Sequence, residues 1–138
     1  MHHFSSICNG LWTIILLFLV TSTQAQSWYQ LGADIDGEAA GDNSGRSVSL
    51  SADGSRLAIG AGGNDGNGVD AGHVRLYEWN GSAWVQLGAD IDGEAISDQS
   101  GTCALSADGS RVAIGARTND GNGAAAGHVR LYDWNGSA

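Results

Sequence analysis

Apolar and polar residues alternate in short runs along residues 27–138, and this period of two predicts β-strands. In the first half we predict strands at 27–35, 46–51, 56–61 and 73–79, which read SWYQLGADI, RSVSLS, RLAIGA and HVRLYEW. In the second half WVQLGADI, TCALS, RVAIGA and HVRLYDW predict four more. Gly, Asn, Asp and Ser bound the runs, and no stretch of this region keeps a helical period. The pattern predicts an all-β protein.

The two halves are copies of one unit. Residues 28–83 and 84–138 are 56 and 55 residues long, and 42 of 55 aligned positions are identical, with one residue near Arg46 missing from the second copy. Four strands in each repeat of about 50 residues are typical of a β-propeller blade. We therefore predict a partial β-propeller of two four-stranded antiparallel blades, the first repeat at 26–83 and the second at 84–138.

The run SGRSVSLSADGSRLAIGAG, followed by GHVRLY, resembles the FG-GAP repeats of integrin-alpha-type β-propellers. Ile59-Gly60-Ala61 and Ile114-Gly115-Ala116 match the apolar-Gly-Ala step of that family, and residues 72–77 match its Gly-x-Val-x-Val-Tyr strand. The resemblance covers nearly all of residues 27–138 and implies a propeller that presents loops to protein or carbohydrate partners. Three features depart from it, and one is that Gly62 or Arg117 takes the place of the family's final Pro. Ser44-Gly45 replaces Phe-Gly, and the family's calcium loop is shortened to residues 51–54, with one carboxylate, so the resemblance implies no calcium there.

The first 25 residues are predicted to be a secretory signal peptide. Residues 11–20 read LWTIILLFLV, an apolar run of about ten residues where a membrane-spanning helix needs roughly 20. The following TSTQA offers a cleavage site after Ala25. We expect a secreted or cell-surface protein with no membrane insertion after cleavage; an uncleaved N-terminal anchor is the alternative. Cleavage removes Cys8 and leaves Cys103, which is aligned with Val48 and is interpreted as a small buried hydrophobe.

Composition narrows the function classes. Six basic residues, all Arg, stand against 15 acidic ones, giving a net charge of −9, so the chain has no basic surface for nucleic acid. The 22 Gly without any Pro indicate many turns and exclude collagen. A hydrophobic content of 42% with five Trp argues against a disordered chain. The acidic balance favours cationic partners or metal ions.

Two acidic loops, one in each copy, are the candidate metal ligands. Calcium prefers clustered oxygen ligands, and it is the candidate cofactor here although the spacing is not that of an EF-hand. The alternative is that these side chains bond turn amides and keep the surface soluble. The candidate ligands are Asp34, Asp36, Glu38, Asp42, Asp90, Asp92, Glu94 and Asp98.

Neither catalysis nor a cofactor is indicated by a motif. His73 and His128 occupy the same strand start in their copies, and a site that recurs with the repeat favours a structural role, since catalytic sites are normally assembled once. No Ser-His-Asp, His-Glu-x-x-His or phosphate-loop pattern occurs. Asn80 and Asn135 begin Asn-Gly-Ser sequons at predicted hairpin tips and are candidate glycosylation sites if the source is a eukaryote. Four tryptophans are expected to pair across strands in the core: Trp28, Trp79, Trp84 and Trp134.

The expected function is a non-catalytic extracellular binding or adhesion module whose partner is a protein or a carbohydrate. Two alternatives stay open: the propeller portion of a secreted enzyme that acts on polysaccharide, and a structural wall or matrix protein. Two blades do not close a ring. The chain is therefore interpreted as a fragment of a longer array, as a unit that self-associates to complete a propeller, or as a small two-blade domain.

Overall fold

The structure is a computed structural model that describes residues 27–136. The predicted signal peptide lies outside the described residues, as does the last residue of the second sequon. Within the described range all regular structure is β-strand. No helix there has the length and apolar character needed to cross a membrane.

Eight strands form two antiparallel sheets. The first sheet contains β1 (Ser47–Leu50), β2 (Arg56–Ala61), β3 (His73–Trp79), β4 (Trp84–Gln86) and β5 (Ile91–Asp92). Its order is β1-β2-β3-β4, and β5 also pairs with β3. The second sheet contains β6 (Ser100–Leu105), β7 (Arg111–Ala116) and β8 (His128–Asp133), in that order. The prediction of an all-β fold is confirmed.

One predicted strand is absent, and its absence changes the strand count of both sheets. Residues 27–35 are not a strand, whereas their counterpart in the second copy forms β4 and β5 along β3. The sheets therefore have five and three strands, where four and four were predicted. The physical reason is that a strand needs a partner ladder. The second copy finds that ladder on β3, so the first sheet is completed by the run that opens the next repeat.

The core lies between the two sheets. Ala58 and Val74 of the first sheet pack with Cys103, Val112 and Ile114 of the second. Cys103 is a free thiol, 8% exposed, and burial raises its pKa, which confirms its interpretation as a small buried side chain. Its counterpart Val48 is 62% exposed because no sheet covers that face of β1.

Backbone approaches backbone where the sheets stack, and we call this stacking the inner contact. A Cβ added to Gly60 would fall 1.6 Å from the carbonyl oxygen of Gly101, so glycine is required there. The free edge of β6 is capped by hydroxyls of β1. The amide of Cys103 donates to Ser47 Oγ at 2.9 Å, and the amide two residues later donates to Ser49 Oγ at 2.9 Å.

Candidate functional site

Four of the eight candidate carboxylates accept hydrogen bonds that brace their own loops: Asp34, Asp42, Asp90 and Asp98. The Asp42 carboxylate accepts from the Ala39 amide and from Asn64 Nδ2, both at 3.1 Å. In the second copy Asp98 makes the same pair of bonds, at 3.0 and 2.9 Å. Asp34 accepts from Gln30 at 2.8 Å. The main-chain oxygens of two more, Asp36 and Asp92, accept from arginine side chains.

Two of the candidate ligands, Glu38 and Asp90, meet at a histidine of the first sheet. Glu38, His73 and Asp90, which we call the histidine site, bring one nitrogen and two carboxylate oxygens within 4.8 Å of one another. His73 Nδ1 lies 3.5 Å from Asp90 Oδ2 and 3.9 Å from Glu38 Oε2. His73 is 1% exposed, and its Nδ1 has no hydrogen-bond partner among the described residues.

Arg75, two positions further along β3, holds the other side of the site. Its Nη1 lies 3.7 Å from Glu38 Oε1, and its Nη2 donates to the Asp36 oxygen at 2.7 Å. The guanidinium also lies over the Tyr77 ring, 5.8 Å from the centroid. One imidazole nitrogen with two carboxylates is a ligand set for zinc-type cations, whereas calcium takes six to eight oxygens. The chemistry of these three groups thus suits a transition metal better than calcium.

The second copy repeats this arrangement without its third ligand. His128 Nδ1 lies 3.8 Å from Glu94 Oε2, and Arg130 Nη1 lies 3.5 Å from Glu94 Oε1. Among the described residues, no third carboxylate, histidine or cysteine joins the His128–Glu94 pair as Asp90 joins His73 and Glu38. The His128 side chain is accordingly 26% exposed, against 1% for His73.

The sequence placed both histidines on strands but did not group them with these carboxylates. Glu38 precedes His73 by 35 positions, and Asp90 follows it by 17. They converge because the second copy's opening run lies along β3. A signal was present in the repeat itself, since an opening run with no partner in its own sheet must find one in the neighbouring sheet.

A polar groove of about 300 Å³ opens at the junction of the two copies, and we call it the arginine groove. Ser47 pairs with Gly60 in the first repeat, and Thr102 pairs with Gly115 in the second. Thr102 is therefore the counterpart of Ser47, and Arg46 is the residue that the second repeat lacks. With that alignment, nine of the ten lining residues differ from their counterpart in the other copy or have none, and only Gly101 is shared. The lining residues are Asn43, Arg46, Ser47, Gly62, Gly63, Asp70, Gln99, Gly101, Thr102 and Arg117.

The two arginines of this groove are also the ones without a carboxylate partner. All six arginines lie in the described range, and four form ion pairs: Arg56, Arg75, Arg111 and Arg130. No ion pair joins Arg46 or Arg117 to a described carboxylate. Two unneutralised guanidiniums on one rim are unusual in a chain with a net charge of −9.

The groove wall is held in shape by its own hydrogen bonds. Arg117 donates from Nε and Nη2 to the side-chain oxygen of Gln99, the first bond measuring 2.7 Å. The Gln99 amide donates to the Asp70 oxygen at 3.0 Å. Asn43, Asp70 and Gln99 all have φ between 51° and 55°, a left-handed conformation that side chains rarely adopt. Such backbone strain clusters at binding sites, where the surrounding structure maintains it.

The predicted hairpin tip at Asn80 is confirmed. Its amide donates to the Ala83 oxygen at 3.1 Å, and its side-chain oxygen accepts from the amides of Ser82 and Ala83. Asn80 is exposed, so the sequon is sterically accessible. Next to it, Trp79 and Trp84 pair across the hairpin with ring centroids 5.5 Å apart, as expected, but both are half-buried and lie outside the core cluster. Trp28 is instead fully exposed, because residues 27–35 have no strand beside them.

Comparison of the chain with protein-family models, with curated proteins and with solved structures finds no match.

Proposed function

We propose that this protein is a secreted, non-catalytic binding module built from FG-GAP-like propeller repeats, and that its ligand site is the arginine groove. The observation that carries the proposal is the coincidence of two properties. Nine of the ten residues that line this groove distinguish the two repeats, and the groove also contains the two arginines that lack acidic partners. In a repeat protein the shared residues build the scaffold, and the differing residues are free to recognise a ligand.

The chemistry of the groove favours an anionic carbohydrate. Guanidinium groups bind carboxylates through paired charged hydrogen bonds. Asn43, Asp70 and Thr102 supply neutral and acidic groups that suit sugar hydroxyls. The groove is open and polar, which fits a chain passing through it rather than an enclosed small molecule. The secreted-enzyme alternative is not favoured by a specific observation, because His73 and His128 recur with the repeat as a structural element does.

The test measures binding of the secreted, processed chain to two polymers. One is a uronic-acid polysaccharide, and the other is the same polysaccharide with its carboxyl groups reduced. We expect binding to the acidic polymer only. Arg46→Ala and Arg117→Ala should each weaken it roughly 10-fold or more, since a charged hydrogen bond contributes about 1.5–3 kcal/mol. At 0.15 M salt the Debye length is about 8 Å, so repulsion by the net charge is largely screened.

Arg111→Ala is the matched control. Arg111 is exposed and ion-paired with Asp133, and it lies outside the groove. The proposal is wrong if the acidic polymer is not bound, or if all three arginine variants lose affinity equally. Release of new reducing ends from the polymer would instead support the secreted-enzyme alternative.

A further inference from the structure

We infer that copies of this protein associate head to tail, with the second sheet of one copy stacked on the first sheet of the next. The inference goes beyond the proposed ligand site and does not depend on it. It rests on the inner contact, which shows within one chain how the first copy of the unit receives the second. Part of each half of that contact is presented again, exposed, on the outer faces of the molecule.

The outer face of the second sheet repeats the surface that the first sheet buries. Val74 is fully buried in the inner contact, and its counterpart Val129 is 63% exposed. Leu76 packs against the core, and its counterpart Leu131 is 75% exposed. These two apolar side chains stand side by side on β8. Exposed apolar groups of this size on one face are typical of a contact surface.

The outer face of the first sheet repeats part of the surface that the second sheet buries. On the same face Ile59 and Tyr77, the counterparts of Ile114 and Tyr132, are already buried, at 6% and 7% exposure. Val48 and Leu50 are 62% and 56% exposed. Their counterparts Cys103 and Leu105 belong to the core or pack against it. The two outer faces therefore carry different residues, and they are complementary to each other as the two inner faces are. A contact between unlike faces is heterologous, and it closes into a ring or continues as a filament.

The opening run of the chain is positioned to add a strand to a neighbour. Residues 28–36 read WYQLGADID, against WVQLGADID for the run that lies on β3 as β4 and β5. Both runs bend at a glycine of positive φ, Gly32 and Gly88. Both are braced by the same glutamine-to-aspartate bond, at 2.8 and 2.6 Å. The opening run thus has the shape of a paired strand before it has a partner.

The receiving edge is also present. β8 pairs only with β7 in the described structure, and residues 128–134, HVRLYDW, differ from β3 at one position. If the opening run of a second copy lies on β8 in the register seen on β3, its Trp28 is opposite Trp134. This follows from the pairing of Trp79 with Trp84. The exposed Trp28, 103% accessible, is then covered.

The same docking completes the second histidine site. Asp90 belongs to the run on β3, and its counterpart in the opening run is Asp34. A second molecule docked in this register brings its Asp34 beside the His128–Glu94 pair, in the position that Asp90 has beside His73. The missing third group is therefore supplied by the neighbour. One bond of the inner contact is not repeated, because Ala104 replaces the hydroxyl of Ser49.

Glycine gives the variant that separates docking from folding. Gly115 is the counterpart of Gly60, and a Cβ there meets nothing closer than Thr102 Cβ at 3.6 Å. Within one chain, a Cβ on Gly60 would strike the carbonyl of Gly101, whose counterpart is Gly45. In the docked pair a Cβ on Gly115 would therefore strike the Gly45 carbonyl of the neighbouring molecule. Gly115→Ala should fold normally and fail to associate. Gly62→Ala is the control, since its Cβ also has space, at 3.6 Å from Gln99.

The experiment measures molar mass by sedimentation or light scattering from micromolar to about millimolar chain. The wild-type chain and Gly62→Ala should associate. Gly115→Ala blocks one face and Val48→Glu blocks the other, so each should remain monomeric with a wild-type circular dichroism spectrum. Mixed one to one, they should form a heterodimer of twice the monomer mass, because each retains the face that the other lacks.

Any of three results overturns the inference. The wild-type chain could stay monomeric throughout the range, which would leave the outer faces to another partner. Either single variant could associate as strongly as the wild type. The mixture could fail to form the heterodimer, which is the result expected if association joined two like faces.

Discussion

Val74 and Val129 hold the same place in the two copies and differ only in what covers them, so they make a matched pair for mutation. Val74 is fully buried and Val129 is 63% exposed. Val→Ala removes two methyl-sized groups, or about 1.6 kcal/mol at ~0.8 kcal/mol each. At Val74 a residual cavity adds about 1 kcal/mol, giving roughly 2–3 kcal/mol in total. At Val129 only about a third of the burial is lost, or about 0.6 kcal/mol.

The assay is urea unfolding followed by tryptophan fluorescence, at a concentration where the chain is monomeric. The loss of β-propensity on Val→Ala is common to both strands and cancels in the comparison. We expect Val74→Ala to lower the free energy of unfolding by about 2 kcal/mol more than Val129→Ala does, with an unchanged denaturant slope. Losses equal within about 0.5 kcal/mol would refute the reasoning, because they would mean that the inner contact does not bury Val74.

Three further predictions concern separate features of the chain. Gly60→Ala should unfold the protein or lower its melting temperature far more than Gly115→Ala, since only the first places a Cβ 1.6 Å from a backbone oxygen; equal melting temperatures by calorimetry would contradict this. Asp108 has its pKa lowered to about 2 by hydrogen bonds from two serines, so its contribution is complete above pH 4 and is lost as the pH falls through 2. The melting temperature of Asp108→Asn should accordingly lie below that of the wild type at pH 6, and the two should converge towards pH 2; a gap that widens in acid would be contrary evidence. Micromolar zinc should raise the melting temperature of the wild-type chain but not of Glu38→Gln, and millimolar calcium should raise neither; a calcium shift that survives in Glu38→Gln would point to a different site.

Local alternation and turn chemistry were sufficient to predict the strands that pair inside their own repeat. RLAIGA at 56–61 and HVRLYEW at 73–79 were predicted with the bounds that the structure has. The hairpin at Asn80-Gly81 was readable for the same reason, since Asn and Gly accept the backbone angles of a tight turn. Alignment with Val48 predicted that Cys103 occupies an apolar strand position, but its burial depends on the sheet that covers it, since Val48 itself is 62% exposed.

Pairing between repeats was not readable from either copy by itself. Residues 28–36 and 84–92 differ in sequence at one position, yet only the second run forms strands, β4 and β5. The difference is the presence of β3 beside one run and of no strand beside the other. The histidine site follows from that pairing, because Asp90 reaches His73 only on a run that lies along β3.

The sequence by itself determined the all-β class, the repeat, most strand positions and the acidic character, since these depend on periodicity and composition along the chain. Tertiary structure alone decided which run completes which sheet, which copy of each valine is covered, and which two arginines remain without acidic partners. Those outcomes depend on what lies across a strand or against a face of a sheet. Identical residues therefore differ in pairing and burial when their neighbours differ.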